Sequence, residues 1–519
     1  MGHAGDAAVE AILRAASAGE PMKVFYLGPF ARRISFATQQ TRALNLVWAL
    51  NSRGLVKEGD EVAVVGAGLS GITAAASLAE LRCKVTVLEA TGVALWRQAQ
   101  TEHRVVHPNI NQWPEKAADP TTAFPFFDWY ASECASALRM VLNDWKESYI
   151  DKKRVEFLPG IRVDKPIPAG EKIAFRLSQG EHDGRYDAVI VATGFSNEVR
   201  IKGLRGFTSY WDPDRLEHLR DEDKNSWFLV TGCGDGGLID TLRLVFRTET
   251  FRKGRLAIEI AERLGQADLM RQPADPPSDK VPDIIHDAET RASPSAVDSD
   301  SAAHILLDAY VKAARLLPKD IADDLRDALV KRDGIVTLVG KEPHPYSRGS
   351  APIHKLLLTF ATLNGKLHYE QGLRDKDAKG TVFVVNGHPY IYSKMKKTVT
   401  RHGAPLALEG SNFLSSTAFD DLEGRQREIL DIFNAPHWQS PPGGGGHPSY
   451  DPMSKSHIAA RELRAKEFFA RYWPMGKLAI GTRGFTLNLK RAKPDAKAPS
   501  SVFGISLKTV KENKGAKTV

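Results

Sequence analysis

Two short stretches carry the spacing most readily tied to chemistry. Gly66-Ala67-Gly68-Leu69-Ser70-Gly71 and Gly232-Cys233-Gly234-Asp235-Gly236-Gly237 both read G-x-G-x-x-G. Each follows an apolar run, EVAVV at 61–65 and WFLV at 227–230, and each opens a stretch patterned as a helix. In that context the pattern binds a dinucleotide. The first glycine makes a tight turn, the second lets backbone approach a pyrophosphate, and the third allows helix and strand to pack closely. The helix start, with Ser70 in its first turn, offers N–H groups and the positive end of a dipole to the phosphates. KVTVLEA, 84–90, reads as the next strand and ends in Glu89, 18 residues beyond Gly71. A carboxylate there accepts the hydroxyls of an adenosine ribose and repels a 2′-phosphate. The first site is therefore expected to hold FAD or NAD, not NADP.

The second stretch differs. Asp235 lies inside the loop, where a carboxylate beside a phosphate is costly unless it points away. No acid or Arg pair marks the end of a following strand. Arg247, Arg252 and Lys253 are candidates to meet a 2′-phosphate, with a solvated helix end as the other account, so NADH and NADPH both stay open.

The elements that must position these loops are α/β. Residues 1–58 read as a helical segment, with Leu44, Val47, Trp48 and Leu50 on one face and Gly54 as a stop. Residues 59–200 read as a Rossmann-like FAD-binding region, opening with a β-α-β unit. A helix is expected over 127–148, and strands at 155–158, 173–177 and 186–191. Residues 201–340 read as a second, NAD(P)-binding region with a polar surface insertion at 265–302. GRLAIEIAERLG, 254–265, fits a strand or a helix; helices are expected near 303–317 and 320–332, and a strand at 335–339. Residues 341–489 read as a C-terminal α/β region that completes the FAD domain sheet and a substrate-facing surface, with a helix at 351–364, a strand at 366–370 and a flexible connection at 440–452. Residues 490–519 read as a basic flexible tail.

YDAVIVATGF, 186–195, is an apolar strand ending in Ala192-Thr193-Gly194. Glu89 is followed by ATGVALWRQ, with Gly92, Leu95, Trp96 and Arg97. In these elements, and in the order 66–71, 192–194, 232–237, the chain over about 60–240 resembles the two-dinucleotide flavoproteins, specifically the flavin-containing and Baeyer–Villiger monooxygenases. The resemblance implies FAD on the first fingerprint, with Trp96, Arg97, Thr193 and Gly194 beside it. It implies NADPH or NADH on Gly232, Gly234 and Gly237, reached through the linker 195–213. It departs from the family at Val93 and Ala94, where glycine is usual. It departs also at FTSYWDP, 207–213, which lacks the histidine of F-x-G-x-x-x-H; oxygen insertion is thus left open beside reductase and oxidase activity. A second reading places Asp235 on the flavin ribityl chain, as in amine- or amino-acid-oxidase-like flavoproteins where both glycine motifs serve FAD. A third is a non-catalytic nucleotide sensor.

No catalytic residue is assigned. His103, Arg104, His107, Asn109 and Asn111, in EHRVVHPNINQWP, are polar candidates to reach the isoalloxazine ring. His344, Tyr346 and Arg348 are candidate substrate contacts, Ser350 a candidate helix cap, and TRHGAP at 400–405 a third loop. A structural role is the competing account of each. The substrate is expected to be a small molecule.

The totals exclude other classes. No P-loop, G-x-S-x-G or H-E-x-x-H is present, and no metal-ligand spacing. Cys83, Cys134 and Cys233 form no C-x-x-C pair, Cys134 reads as a core residue, and the cysteine count fits a reducing compartment. No apolar run is long enough to span a membrane and the N-terminus lacks a secretory pattern, so a cytoplasmic location is expected. Net charge is +8, but residues 490–519 hold eight Lys or Arg and two acids. The excess is therefore mostly a solvated tail, and nucleic acid is not an expected partner.

Overall fold

The computed structural model describes residues 3–17, 22–28, 34–115, 122, 124–194, 209–214, 216–222, 227–265, 279–293, 297–340, 342–377, 380–385, 388–391, 398–401, 414, 416–429 and 432, and the strand residues 476–481, 484–489, 501–502, 505–506 and 517–518. The chain divides into two compact units: Met1–Ala99 with Asp119–Gly194 and Gly410–Val519, and Gln100–Ala118 with Phe195–Glu409.

The first unit is built on a five-stranded parallel sheet, in the order Val24–Tyr26, Ala188–Val191, Glu61–Val65, Lys84–Glu89, Val155–Pro159. The three inner strands are near-continuous apolar runs because helices cover a parallel sheet on its faces. The helix Leu69–Glu80 is buried from Leu69 to Ala79, so its small residues are what lets it pack on strands and on the helix Phe36–Ser52. That second helix is capped by a reciprocal Ser35–Thr38 box and carries buried polar side chains. Gln40 donates to Phe127 O at 3.1 Å and accepts from Trp129 Nε1 at 2.8 Å; Arg42 donates to Gln426 Oε1 at 2.6 Å. The expected helical N-terminal segment thus contains an unforeseen strand, Val24–Tyr26, too short to show a period. The helix expected over 127–148 starts at Cys134, with Trp129 held before it in a turn anchored by Asp128.

The second unit has its own six-stranded sheet, in the order His388–Ile391, Gly380–Val385, Leu367–Asp377, Val336–Gly340, Phe228–Thr231, Thr398–Thr400. The last four run parallel and the hairpin at the far edge is antiparallel. This corrects the expected role of 341–489: the strands at 336–400 extend the sheet of Phe228–Thr231, while the helix Ser416–Glu428 returns to the first unit. Apolar strands of either sheet look alike, and only pairing partners tell them apart. The stretch 254–265 is a helix, Arg255–Leu264. The segment 265–302 is not simply a surface insertion. Within it Val281–Arg291 is a helix whose Val281, Ile284, Ile285 and Ala288 enter the core. That i, i+3, i+4, i+7 stripe was legible but diluted by its polar surroundings. The connection at 440–452 lies outside the described residues, as does the tail apart from three two-residue strands. No described helix is long and apolar enough to cross a membrane.

Candidate functional site: two matching glycine cradles

Each fingerprint turns at a glycine with positive φ, +102° at Gly66 and +106° at Gly232. The hydrogen bonds around the two loops correspond one to one. Gly66 N donates to Leu88 O at 2.8 Å, and Gly232 N to Val339 O at 2.9 Å. From the strand on the other side, Ala192 N donates to Val65 O and Arg401 N to Thr231 O, both at 2.8 Å. A chain segment beyond the next strand reaches back, with Leu95 N donating to Ala67 O at 3.1 Å and Ser347 N to Cys233 O at 2.8 Å. A Cβ built on Gly71 would lie 2.0 Å from Gly66 O, and one on Gly237 1.8 Å from Gly232 O, so both helices sit against their turns as only glycine permits. The middle glycines differ in kind. Nothing lies within 4 Å of a Cβ on Gly68 or Gly234, and neither helix start has a side-chain cap. An open cradle lined by first-turn N–H groups fits a pyrophosphate.

Residues 60–239 match the pyridine nucleotide-disulphide oxidoreductase family. The match covers both fingerprints and about a third of the chain, and places that region in the FAD/NAD(P)-binding superfamily. A comparison with curated protein sequences finds no match. Among solved structures, the bacillithiol disulfide reductase of Staphylococcus aureus aligns at 10% identity over 67% of this chain and 77% of its own, with a TM-score of 0.36. A cyclohexanone monooxygenase variant from Rhodococcus sp. Phi1, bound to NADP+, aligns at 13% identity over 69% and 74%, with a TM-score of 0.38. The thioredoxin reductase of Lactococcus lactis aligns at 13% over 72% and 99%, with a TM-score of 0.33. At such identities and scores the assignment rests on the family match and the loop geometry.

In the first cradle Glu89 is oriented by backbone. One oxygen accepts from Ala67 N at 2.7 Å, the other from Thr91 N at 2.7 Å and Thr91 Oγ1 at 2.8 Å. A carboxylate has about four acceptor positions, so one remains for a further donor. Thr193 Oγ1 is buried with no partner among the described residues, and Gly194 follows it at φ +72°. Ser70 is buried in the helix start. Trp96 is exposed, with the Arg97 guanidinium 5.2 Å from its ring centre. At the two departures from the glycine pattern, Val93 faces solvent and Ala94 is buried.

In the second cradle Asp235 points away from the loop. Its Oδ1 accepts from Ala351 N at 3.0 Å and lies 2.7 Å from His354 Nδ1, both at the start of the helix Pro352–Leu363. Burial alone would raise the carboxyl; the His354 charge and the hydrogen bonds from His354 and Ala351 outweigh it and hold the pKa below its ordinary value. The carboxylate is thus engaged by the protein's own groups, and the strand before it, Phe228–Thr231, belongs to the second sheet. Arg247, Arg252 and Lys253 follow the C-terminal end of the helix Asp235–Val245 in the chain. They meet Glu249, Glu259 and Glu102 O respectively.

The polar segment 100–115 belongs to the second unit. Arg104 is no free flavin contact: it pairs with Asp240, donates to Tyr210 O at 3.1 Å, and stacks 3.9 Å from the Tyr210 ring centre. Arg243 and Arg401 meet the same Asp240 at 3.0 and 2.7 Å, and Arg243 also meets Asp214 and Glu217 at 2.6 Å. Three guanidinium groups thus balance three carboxylates, all inside the unit. The cluster also supports the cradle, because a Cβ on Gly232 would strike Arg401 O and one on Gly236 would press on Tyr210. Its members lie at 104, 210–217, 240–243 and 401, a scatter that no local motif reveals. His103 is half-buried beside Asp214, and its partial burial with the Arg104 charge lowers its pKa. His107 accepts from Asn109 N at 3.1 Å, and burial pushes its pKa down to about 3. Asn111 is buried next to Trp113, whose Nε1 donates to Gly265 O at 3.1 Å. His344 and Tyr346 are buried, their rings 5.0 Å apart. Ser350 donates to Cys233 O at 3.1 Å and is not the helix cap; Ala351 holds that place. Of the 400–405 loop, 402–405 lie outside the described residues, as do 195–208 of the linker. All three cysteines are free and buried.

Proposed function

We propose that the chain is an FAD-dependent oxidoreductase reduced by NAD(P)H, with flavin on the Gly66–Gly71 cradle and the nicotinamide dinucleotide on Gly232–Gly237. The observation that carries this reading is the pair of cradles with matching hydrogen bonds, each at the end of an interior strand flanked on both sides by parallel strands. Two cradles suit one resident and one visiting dinucleotide. The family match over both loops supports the same reading.

When bound, FAD would supply two-electron redox chemistry between a reduced nicotinamide and an acceptor. The chain's part is binding and placement. The open faces of Gly68 and Gly234 admit the two pyrophosphates, and the uncapped helix starts donate to them. Glu89 holds an adenosine ribose by its remaining acceptor position. Thr193 Oγ1, without a partner among the described residues, would donate to the flavin half. Oxygen or a small organic molecule takes the electrons; the buried state of all three cysteines gives no support to a thiol relay.

The test is an anaerobic titration of the purified full chain. Flavin absorbance bleached by one equivalent of reduced nicotinamide supports the reading. Flavin that stays oxidised with both NADH and NADPH overturns the nicotinamide assignment, and protein that takes up no FAD overturns the whole.

A further inference from the structure

The segment 347–354 holds the second glycine loop on both sides of Gly234. Ser347 N and Ser350 Oγ donate to Cys233 O, while Ala351 N and His354 Nδ1 meet Asp235 Oδ1. That segment is itself held from another part of the chain. Lys355, fully buried, donates from Nζ to Arg348 O at 3.1 Å and to Glu289 Oε1 at 2.7 Å. Glu289 stands on the helix Val281–Arg291 and also accepts from Tyr310 Oη at 2.6 Å. Arg348 Nη2 donates to the carbonyls of Val297, at 3.1 Å, and Asp298. We propose that Lys355, paired with Glu289, is a positioning residue for nicotinamide binding: it locks the segment 347–354 in the shape that holds the Gly232–Gly237 loop open to the dinucleotide. The inference rests on the reading that this loop binds a nicotinamide dinucleotide.

Two observations support it. First, the ammonium does more than balance a carboxylate. Its bond to Arg348 O closes the turn from Arg348 to Lys355, and every residue that grips the glycine loop from this side lies in that turn or next to it. In the first cradle the fastening is local, since Leu95 N donates to Ala67 O and Glu89 accepts from Ala67 N. In the second it runs through Glu289, 66 positions from Lys355. Second, stability alone is a poor account of the pair. Taking two charges out of water is costly, and apolar residues of similar volume often stabilise a fold as well or better. An apolar residue at 355 has no donor for Arg348 O and leaves the turn to find its own shape. A binding loop needs such a supporting shell to keep its N–H groups in the productive geometry.

Calorimetry on the oxidised, flavin-loaded full chain tests this, using whichever of NAD+ and NADP+ the native chain binds more tightly, with FAD content and urea unfolding measured beside it. Lys355→Met should weaken the nicotinamide by about tenfold and leave FAD content unchanged. Glu289→Gln keeps an oxygen to accept from Lys355, so it should cost stability but keep affinity within about twofold of native. Lys355→Met with Glu289→Gln leaves no unpaired buried charge and should regain stability while the affinity stays low. This double variant carries the test where Lys355→Met alone fails to fold. Native affinity in the double variant, or loss of FAD in step with the nicotinamide, overturns the inference and leaves the nicotinamide cradle standing. Binding of neither dinucleotide by the native flavin-loaded chain overturns the cradle assignment and the inference with it.

Discussion

Asp235 and His354 meet at 2.7 Å, and through this contact the loop of one helix is fastened to the start of another. The carboxylate takes the N–H of Ala351 as well, so an acid placed at a phosphate-type turn serves the protein's own backbone. The pair has a pH signature. The folded Asp235 pKa is depressed from 3.8, so its contribution to stability is complete above that value and is lost as pH falls through the folded pKa. Asp235→Asn is expected to lower stability at pH 7 by about 1–3 kcal/mol and to flatten the loss below about pH 4. Urea unfolding at pH 7 and pH 3.5 checks this; equal destabilisation at both values counts against the ion pair.

The glycines separate folding from binding. Alanine at Gly71 or Gly237 forces a Cβ onto a backbone oxygen at 2.0 or 1.8 Å and should unfold or displace the loop. Alanine at Gly68 or Gly234 meets nothing and keeps an ordinary φ near −70°, so melting of the ligand-free chain should barely move. Gly68→Ala should cost FAD retention, whereas Gly234→Ala should keep FAD and weaken the nicotinamide. Measured FAD content and nicotinamide Kd decide; loss of FAD in Gly234→Ala would exchange the roles of the two cradles.

The Asp240 cluster is a matter of stability. Asp240 is fully buried; burial would raise its pKa, but Arg104, Arg401 and Arg243 hold it well below the usual carboxylate range. Asp240→Ala leaves three guanidinium groups short of a counter-charge and should cost about 3–5 kcal/mol. Denaturant titration of that variant, read by tryptophan fluorescence, gives the number. A change below 1 kcal/mol would show that the remaining carboxylates suffice.

His107 makes a prediction near neutral pH. Its pKa falls from 6.5 to about 3 on folding, so the unfolded chain takes up the proton first as pH drops. Stability from this group is therefore intact above pH 6.5 and declines below it, by about 2 kcal/mol between pH 6.5 and 5. His107→Gln should remove that part of the slope. Identical slopes for the native and variant chains would mean that His107 titrates in the fold as it does in the unfolded chain.

The sequence by itself determined both turns, because each glycine answers a local demand: Gly66 and Gly232 a positive φ, Gly71 and Gly237 a close approach of backbone to backbone. It determined the β-α-β unit ending in Glu89 for the same reason, since its strands and helix are neighbours in the chain. Tertiary structure decided what distance along the chain conceals. It put the strands at 336–400 in the second sheet, brought Arg104, Asp240 and Arg401 onto one another, and turned Asp235 toward His354. Such pairings depend on which buried surfaces and charges satisfy each other across hundreds of residues, and local pattern carries no record of that choice.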